Sequence, residues 1–180
     1  MGMSSLTRTI ALVGMMGVGK SSVGRRLATR LGVPFRDADS EIEAAAGCSI
    51  NEIFDRYGEE AFRAGERKVV ARLLSMPPHV LATGGGAFID DEIRAGIKQT
   101  AVSVWIKAPL ALLIERVGRR NTRPLLRGGD PAEILERLLK ERDPIYAEAD
   151  IHMESEDGPH GAQVDRIIAA LEDRGLVEAV

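Results

Sequence analysis

The 180-residue sequence predicts an α/β fold, a three-layer sandwich with a central, mainly parallel five-stranded sheet between helices. Two observations carry that prediction. Short apolar runs of β-prone residues alternate with segments of helical periodicity, and the first such run leads directly into a glycine-rich turn that opens a helix. The hydrophobic content of 44% suffices for one sizeable core, so residues 1–180 are expected to form a single domain.

Taken in order, residues 8–13 read as the first strand. Over 21–31, Val23, Leu27 and Leu31 recur at helical spacing, and Gly32 closes that helix. Val33, Pro34 and Phe35 suggest a second strand, followed by the polar run Asp37, Ala38, Asp39 and Ser40 and a helical 41–46. Ser49, with Glu52 three residues on, forms a capping box for a helix through Tyr57. A longer helix covers 59–76, where Phe62, Val69, Val70, Leu73 and Leu74 share a face, and Pro77 and Pro78 end it. Residues 79–82 are a third strand, broken by Gly84, Gly85 and Gly86; 90–98 are helical; 101–106 form an apolar strand; 110–117 form another helix. The stretch 118–130 holds four arginines, three glycines and a proline without apolar periodicity, the composition of a mobile loop. Pro131 suits the first turn of a helix reaching about residue 141 or beyond, 151–153 a last strand and 162–171 a last helix.

Several function classes are disfavoured. With 24 basic against 27 acidic residues, the formal charge of −3 is far from that of a nucleic-acid-binding domain. No apolar run approaches the ~18 residues of a membrane span, and Leu6 stands where a myristoylation signal needs Ser or Thr. The single Cys48 forms no internal disulfide and reads as a small apolar group. His79, His152 and His160 are isolated and suit no zinc site. Trp105 reads as core. A cytoplasmic monomer is expected.

The run Gly14-Met15-Met16-Gly17-Val18-Gly19-Lys20-Ser21 fits G-x-x-x-x-G-K-S/T between a strand and a helix, the context in which this pattern is a phosphate-binding loop. Such a loop turns its backbone N–H groups toward phosphate oxygens and adds the positive end of the following helix. The expected ATP-binding residues are Gly17, Val18, Gly19, Lys20, Ser21 and Ser22. Lys20 reaches the β- and γ-phosphates, and the Ser21 hydroxyl binds Mg²⁺. The fold is therefore expected to be of the P-loop NTPase kind, with its chemistry on the rim formed by the loops after the strands.

A phosphate loop alone does not name an acceptor. Asp37 and Asp39 lie two residues apart, and in an extended segment both would project from one side. One carboxylate there can orient a hydroxyl and accept its proton while the other reaches Mg²⁺ through water; the plainer reading is a helix N-cap. Arg63 and Glu66 read by default as an exposed i, i+3 ion pair. Gly84, Gly85 and Gly86 let a ligand approach the backbone or simply make a tight turn, and Arg142 beside Asp143 and Pro144 reads as the cap of a helix end.

Together these segments resemble the shikimate kinase family over about residues 8–150. The matching stretches are G-M-M-G-V-G-K-S, D-A-D-S-E-I-E, G-C-S-I-N-E-I-F with G-E-E-A-F-R after it, T-G-G-G, N-T-R-P-L-L and R-D-P-I-Y-A-E-A-D. The resemblance implies transfer of the ATP γ-phosphoryl group to the 3-hydroxyl of shikimate, with Mg²⁺, in aromatic amino-acid biosynthesis. It implies that Lys20, Asp39 and Arg123 are catalytic, Asp39 holding the reacting hydroxyl and Arg123 closing with the lid at 118–130. Arg63 and Arg142 grip the shikimate carboxylate, where a guanidinium fork suits a planar anion. The glycines at 84, 85 and 86 approach the ring hydroxyls, Arg116 stacks on adenine, Asp37 assists Mg²⁺ through water, and about 39–66 form the acceptor-binding helical region. The chain departs from the family at Ala38, usually Thr, and over 153–161, which is acidic and lacks the usual basic or amide-bearing adenine contact. The competing readings are a related kinase of gluconate or a nucleoside monophosphate, and a non-catalytic nucleotide switch.

Overall fold

The computed structural model describes residues 5–118, 129–155 and 160–178. Along it run β1 (Ser5–Leu6), β2 (Thr9–Val13), α1 (Lys20–Leu31), β3 (Phe35–Asp37), α2 (Ala38–Ala46), α3 (Ile50–Leu74), β4 (Val80–Ala82), a 3₁₀ turn (Ala87–Ile89), α4 (Asp91–Thr100), β5 (Ala101–Lys107), α5 (Leu110–Gly118), α6 (Pro131–Tyr146), β6 (Ile151–Glu154), α7 (His160–Asp173) and β7 (Val177–Glu178). Five strands form one parallel sheet in the order β3-β4-β2-β5-β6. Every residue of β2 and β4 is buried, as is all of β5 except Lys107, which explains why these strands read as unbroken apolar runs rather than alternating ones. Helices α1 and α7 pack on each other, as do α3 and α4, and their apolar faces complete the core with the sheet.

β2 is the middle strand, with β4 on one side and β5 on the other. From β2 the chain passes to the edge strand β3, returns to β4 between β3 and β2, and then crosses to β5 on the other side, so the loop after β2 leaves the sheet where the connections change direction. Ligands of such sheets bind at this point, outside the carboxyl ends of the strands. The small antiparallel ladder of β1 and β7, pairing Ser5 with Glu178 and Leu6 with Val177, is not foreshadowed in the sequence, because two-residue strands carry no periodicity.

Within α3, Gly58 has φ 84° and ψ 173°, breaking the helix at the point that separates the two helices read from the sequence. Ser49 caps the helix as expected, its Oγ accepting from Glu52 N at 3.2 Å, while Glu52 Oε1 accepts from the Ser49 hydroxyl at 3.3 Å in place of the backbone N–H of a full capping box. Among the described residues, no helix is long and apolar enough to cross a membrane.

His79 is wholly buried beside β2. Its Nδ1–H donates to Pro77 O at 2.8 Å, and its Nε2 is buried with no hydrogen-bond partner. Burial, aided by the charge of Arg36, lowers the imidazole's pKa below its ordinary value. The unfolded chain therefore binds the proton more readily than the native one, and stability falls as pH drops below about 6.5. The melting temperature should decrease from pH 7.5 to 5.5, and His79→Gln should flatten that slope; an unchanged slope would remove His79 as its source.

Candidate active site

The loop from Gly14 to Ser21 leaves β2 and enters α1 as the sequence predicts. Gly14, Gly17 and Gly19 have φ of 143°, 83° and 94°, and a Cβ at Gly14 would lie 2.6 Å from Ile106 O at the end of β5. Here glycine is required both by conformation and by space. Lys20 is buried, and its ammonium donates to Gly14 O at 2.6 Å and Met15 O at 2.9 Å. Val18 is buried in the loop, whereas Ser22 is exposed on the first turn of α1.

Ser21 Oγ donates to Asp37 Oδ2 at 2.7 Å, and Asp37 Oδ1 accepts from Ser40 N at 3.2 Å. Asp37 is thus the N-cap of α2, and the helix begins at Ala38 rather than near residue 41. This corrects the expectation that Asp37 and Asp39 share one side of an extended segment. An N-cap carboxylate satisfies the first free N–H groups and lets the helix start at once, which places Asp39 inside its first turn. Asp37 still stands against the serine of the phosphate loop.

Asp39 faces the glycines after β4: its Oδ1 lies 2.9 Å, and Glu66 Oε2 3.2 Å, from where a Cβ on Gly84 would be. Arg63 Nη1 donates to Glu66 Oε1 at 2.9 Å, and its guanidinium lies over the Phe62 ring at 5.1 Å. The pair is not an exposed one, because Glu66 is only 1% accessible. Position i+3 on a helix says nothing of which face is buried, and this face turns into a pocket lined by Met16, Asp39, Phe54, Phe62, Arg63, Glu66 and the three glycines. Burial raises the Glu66 carboxyl above its ordinary range, the Arg63 charge opposes this, and Asp39 and Asp90 push it further up.

Arg142 does not cap a helix end. α6 continues through Pro144 to Tyr146, and the buried Arg142 donates from Nη1 to Gly85 O at 3.2 Å. Gly85 is also where the two halves of the site touch, since its Cβ position lies 3.3 Å from Met16 N. On the other side of the phosphate loop, Arg116 in the last turn of α5 donates to Gly17 O at 3.1 Å and approaches Ser155 Oγ at 3.5 Å. The sequence does not mark Ser155 or Glu66 as site residues: nothing distinguishes a lone serine after a strand, and Glu66 reads as an ordinary helix-surface partner of Arg63. Arg123 and most of the 118–130 segment lie outside the described residues.

A donor loop, a carboxylate and two guanidiniums thus converge on one rim, and a family model described as shikimate kinase matches residues 16–172. The chain belongs to the shikimate kinase family. Shikimate kinase from Caulobacter vibrioides is 62% identical over 164 residues, 91% of this chain and 82% of that protein. A solved structure, shikimate kinase from Acinetobacter baumannii in complex with shikimate, superposes with a TM-score of 0.91 at 40% identity and covers 94% of this chain and 95% of that one. A gluconokinase from Sinorhizobium meliloti superposes at a TM-score of 0.60 with 20% identity over 94% of both chains, which shows a shared fold alone. Beside other shikimate kinases, this chain is an ATP-dependent phosphotransferase on a five-stranded parallel sheet.

Proposed function

We propose that the chain transfers the γ-phosphoryl group of ATP to the 3-hydroxyl of shikimate, giving shikimate 3-phosphate and ADP on the route to the aromatic amino acids. The observation that carries this reading is the pocket itself. Asp39 and Arg63 line it beside Gly84, Gly85 and Gly86, Arg142 donates to the Gly85 carbonyl, and Met16 of the phosphate loop forms its other edge. A ring bearing hydroxyls and one carboxylate matches that set, with the guanidiniums taking the carboxylate and Asp39 a hydroxyl. Phe54 and Phe62, with ring centroids 4.8 Å apart, give the ring an apolar wall.

In the reaction, the Asp39 carboxylate orients the acceptor hydroxyl and takes its proton as that oxygen bonds to the γ-phosphorus. The bond from this phosphorus to the bridging oxygen breaks, and the electron pair leaves on ADP. Lys20 exchanges the Gly14 and Met15 carbonyls for phosphate oxygens, and the loop N–H groups bind the remaining charge. Gly17, Val18, Gly19, Ser21 and Ser22 complete the nucleotide site, Arg116 lies against adenine, and Arg123 closes over the phosphates with the lid, excluding water.

A divalent metal accompanies ATP in such kinases, and Mg²⁺ is our assignment. The donor set fits: the Ser21 hydroxyl and the Asp37 carboxylate are hard oxygen donors 2.7 Å apart at the end of the phosphate loop. Among the described residues no group of three or more His, Cys, Asp or Glu could hold a metal, so the ion would take most ligands from phosphates and water. It would supply charge neutralisation on the β- and γ-phosphates. We take the enzyme to act in the cytoplasm as a monomer of one domain, without membrane or nucleic acid.

The test is an acceptor panel of shikimate, gluconate and nucleoside monophosphates in a coupled ADP-release assay. Shikimate-stimulated release supports the reading; release stimulated by another acceptor, or by none, overturns it. A second result should follow from Gly86→Ala. The new Cβ would sit 2.6 Å from Arg63 Nη2 and 2.7 Å from Nη1, the mobile end of a long side chain. Arg63 yields, so stability changes by less than about 1 kcal/mol while the KM for shikimate rises about tenfold. Melting curves and steady-state kinetics would separate the two effects.

A further inference from the structure

Gly85 is the contact point of donor loop, acceptor pocket and Arg142, yet it has no side chain to hold it in place. Its carbonyl is held by two donors: Tyr146 Oη donates to Gly85 O at 2.5 Å, while Arg142 Nη1 donates to the same oxygen at 3.2 Å. Both lone pairs are thereby engaged. We infer that Tyr146 is a positioning residue for acceptor binding, fixing the Gly85 peptide and through it the arginine that grips the acceptor carboxylate. This rests on the shikimate reading above.

Three observations support more than a core tyrosine finding a convenient carbonyl. First, Tyr146 is wholly buried, and its ring lies 5.8 Å from that of Trp105, which in turn packs against His152 at 5.2 Å and under the Lys107 ammonium at 4.7 Å. The phenol is therefore rigid. Second, Arg142 is buried and lies one turn before Tyr146 on α6, so the carbonyl, the arginine and the phenol form one closed unit. If Gly85 O shifts, Arg142 loses its anchor while its other N–H groups must still meet a carboxylate. Third, burial pushes the phenol up to about 12 despite the opposing charge of Arg142, so it remains a donor throughout the neutral range.

Tyr146→Phe removes only the hydroxyl. We expect the KM for shikimate to rise about tenfold, with kcat and the KM for ATP within about twofold of wild type, because a carboxylate grip is made equally in ground and transition states. The effect should vanish for an acceptor analogue whose carboxylate is replaced by a hydroxymethyl group. An unchanged KM for shikimate, or an equal loss with the analogue, overturns the inference. A wild-type enzyme without shikimate-dependent turnover overturns the functional reading and this inference together, whereas a normal wild type with a silent Tyr146→Phe overturns this inference alone. If Tyr146→Phe does not fold, 3-fluorotyrosine incorporated into Tyr57→Phe, which removes the other, exposed tyrosine, leaves a single fluorine reporter at 146. Its resonance should shift on saturation with shikimate, and a resonance indifferent to shikimate counts against the role.

Discussion

Lys20→Met should lower kcat for shikimate phosphorylation by about three orders of magnitude, the scale lost when a preorganised charged donor is removed from a transition state. Met has a similar unbranched stem and no charge, so the replacement fills the same space. In the structure the ammonium is folded back on the loop, donating to the Gly14 and Met15 carbonyls, which occupy the role that phosphate oxygens would take. Losing those two bonds costs the fold about 1 kcal/mol each, a drop of several degrees in melting temperature. Activity should therefore collapse while most of the protein remains folded at assay temperature. Lys20→Arg should not rescue it, because a planar fork does not replace a compact ammonium between two carbonyls of one tight loop. The measurement is ADP release at saturating ATP and shikimate, beside a thermal melt. A Lys20→Met enzyme retaining more than about a tenth of wild-type kcat would exclude Lys20 from the chemistry.

How much of this was readable in the sequence depended on whether the determining contacts are local. The loop from Gly14 to Ser21 is contiguous, and its chemistry is set by backbone geometry, so eight residues suffice to place it. The break in α3 was equally visible, because Ser49 and Glu52 mark the start of the first helical run and Gly58 lies between it and the next. Asp39 shows the limit of local reading. Its neighbour Asp37 was correctly open to an N-cap interpretation, but the consequence, that Asp39 turns onto a helix and over Gly84, depends on β3 lying beside β4. Arg142 was ambiguous for a similar reason: a Pro two residues on suggested a helix end, whereas the packing of α6 carries the helix past it to Tyr146. Tyr146 and Ser155 have their hydrogen-bond partners across the fold, at Gly85 and Val18, and Glu66, whose pairing with Arg63 is local, feels the charge of Asp39 from another helix; no spacing pattern reports such contacts.

Asp39→Asn should reduce kcat by about two to four orders of magnitude with the KM for ATP within about twofold. The amide is nearly the same shape and can still accept a hydrogen bond, but it cannot take the hydroxyl proton. Its effect on the fold is small because two contributions oppose. The carboxylate lies in the first turn of α2, where the helix N-terminus favours negative charge by about 0.5 kcal/mol. It also faces the buried Glu66, whose carboxyl it pushes upward, so its removal relieves a like-charge contact. The melting temperature should stay close to wild type, which distinguishes lost chemistry from lost structure. The pH profile carries the sharper signature. Glu66 is raised chiefly by burial, and without the charge at Asp39 one of the influences holding it up disappears. Glu66 then stays ionised, and Arg63 stays paired, to lower pH. The acid limb of shikimate binding, followed by titration at a series of pH values, should accordingly move toward acid in Asp39→Asn. Near-native turnover in that variant would end the assignment of Asp39 as base, and an unmoved acid limb would show that Glu66 does not sense the charge at Asp39.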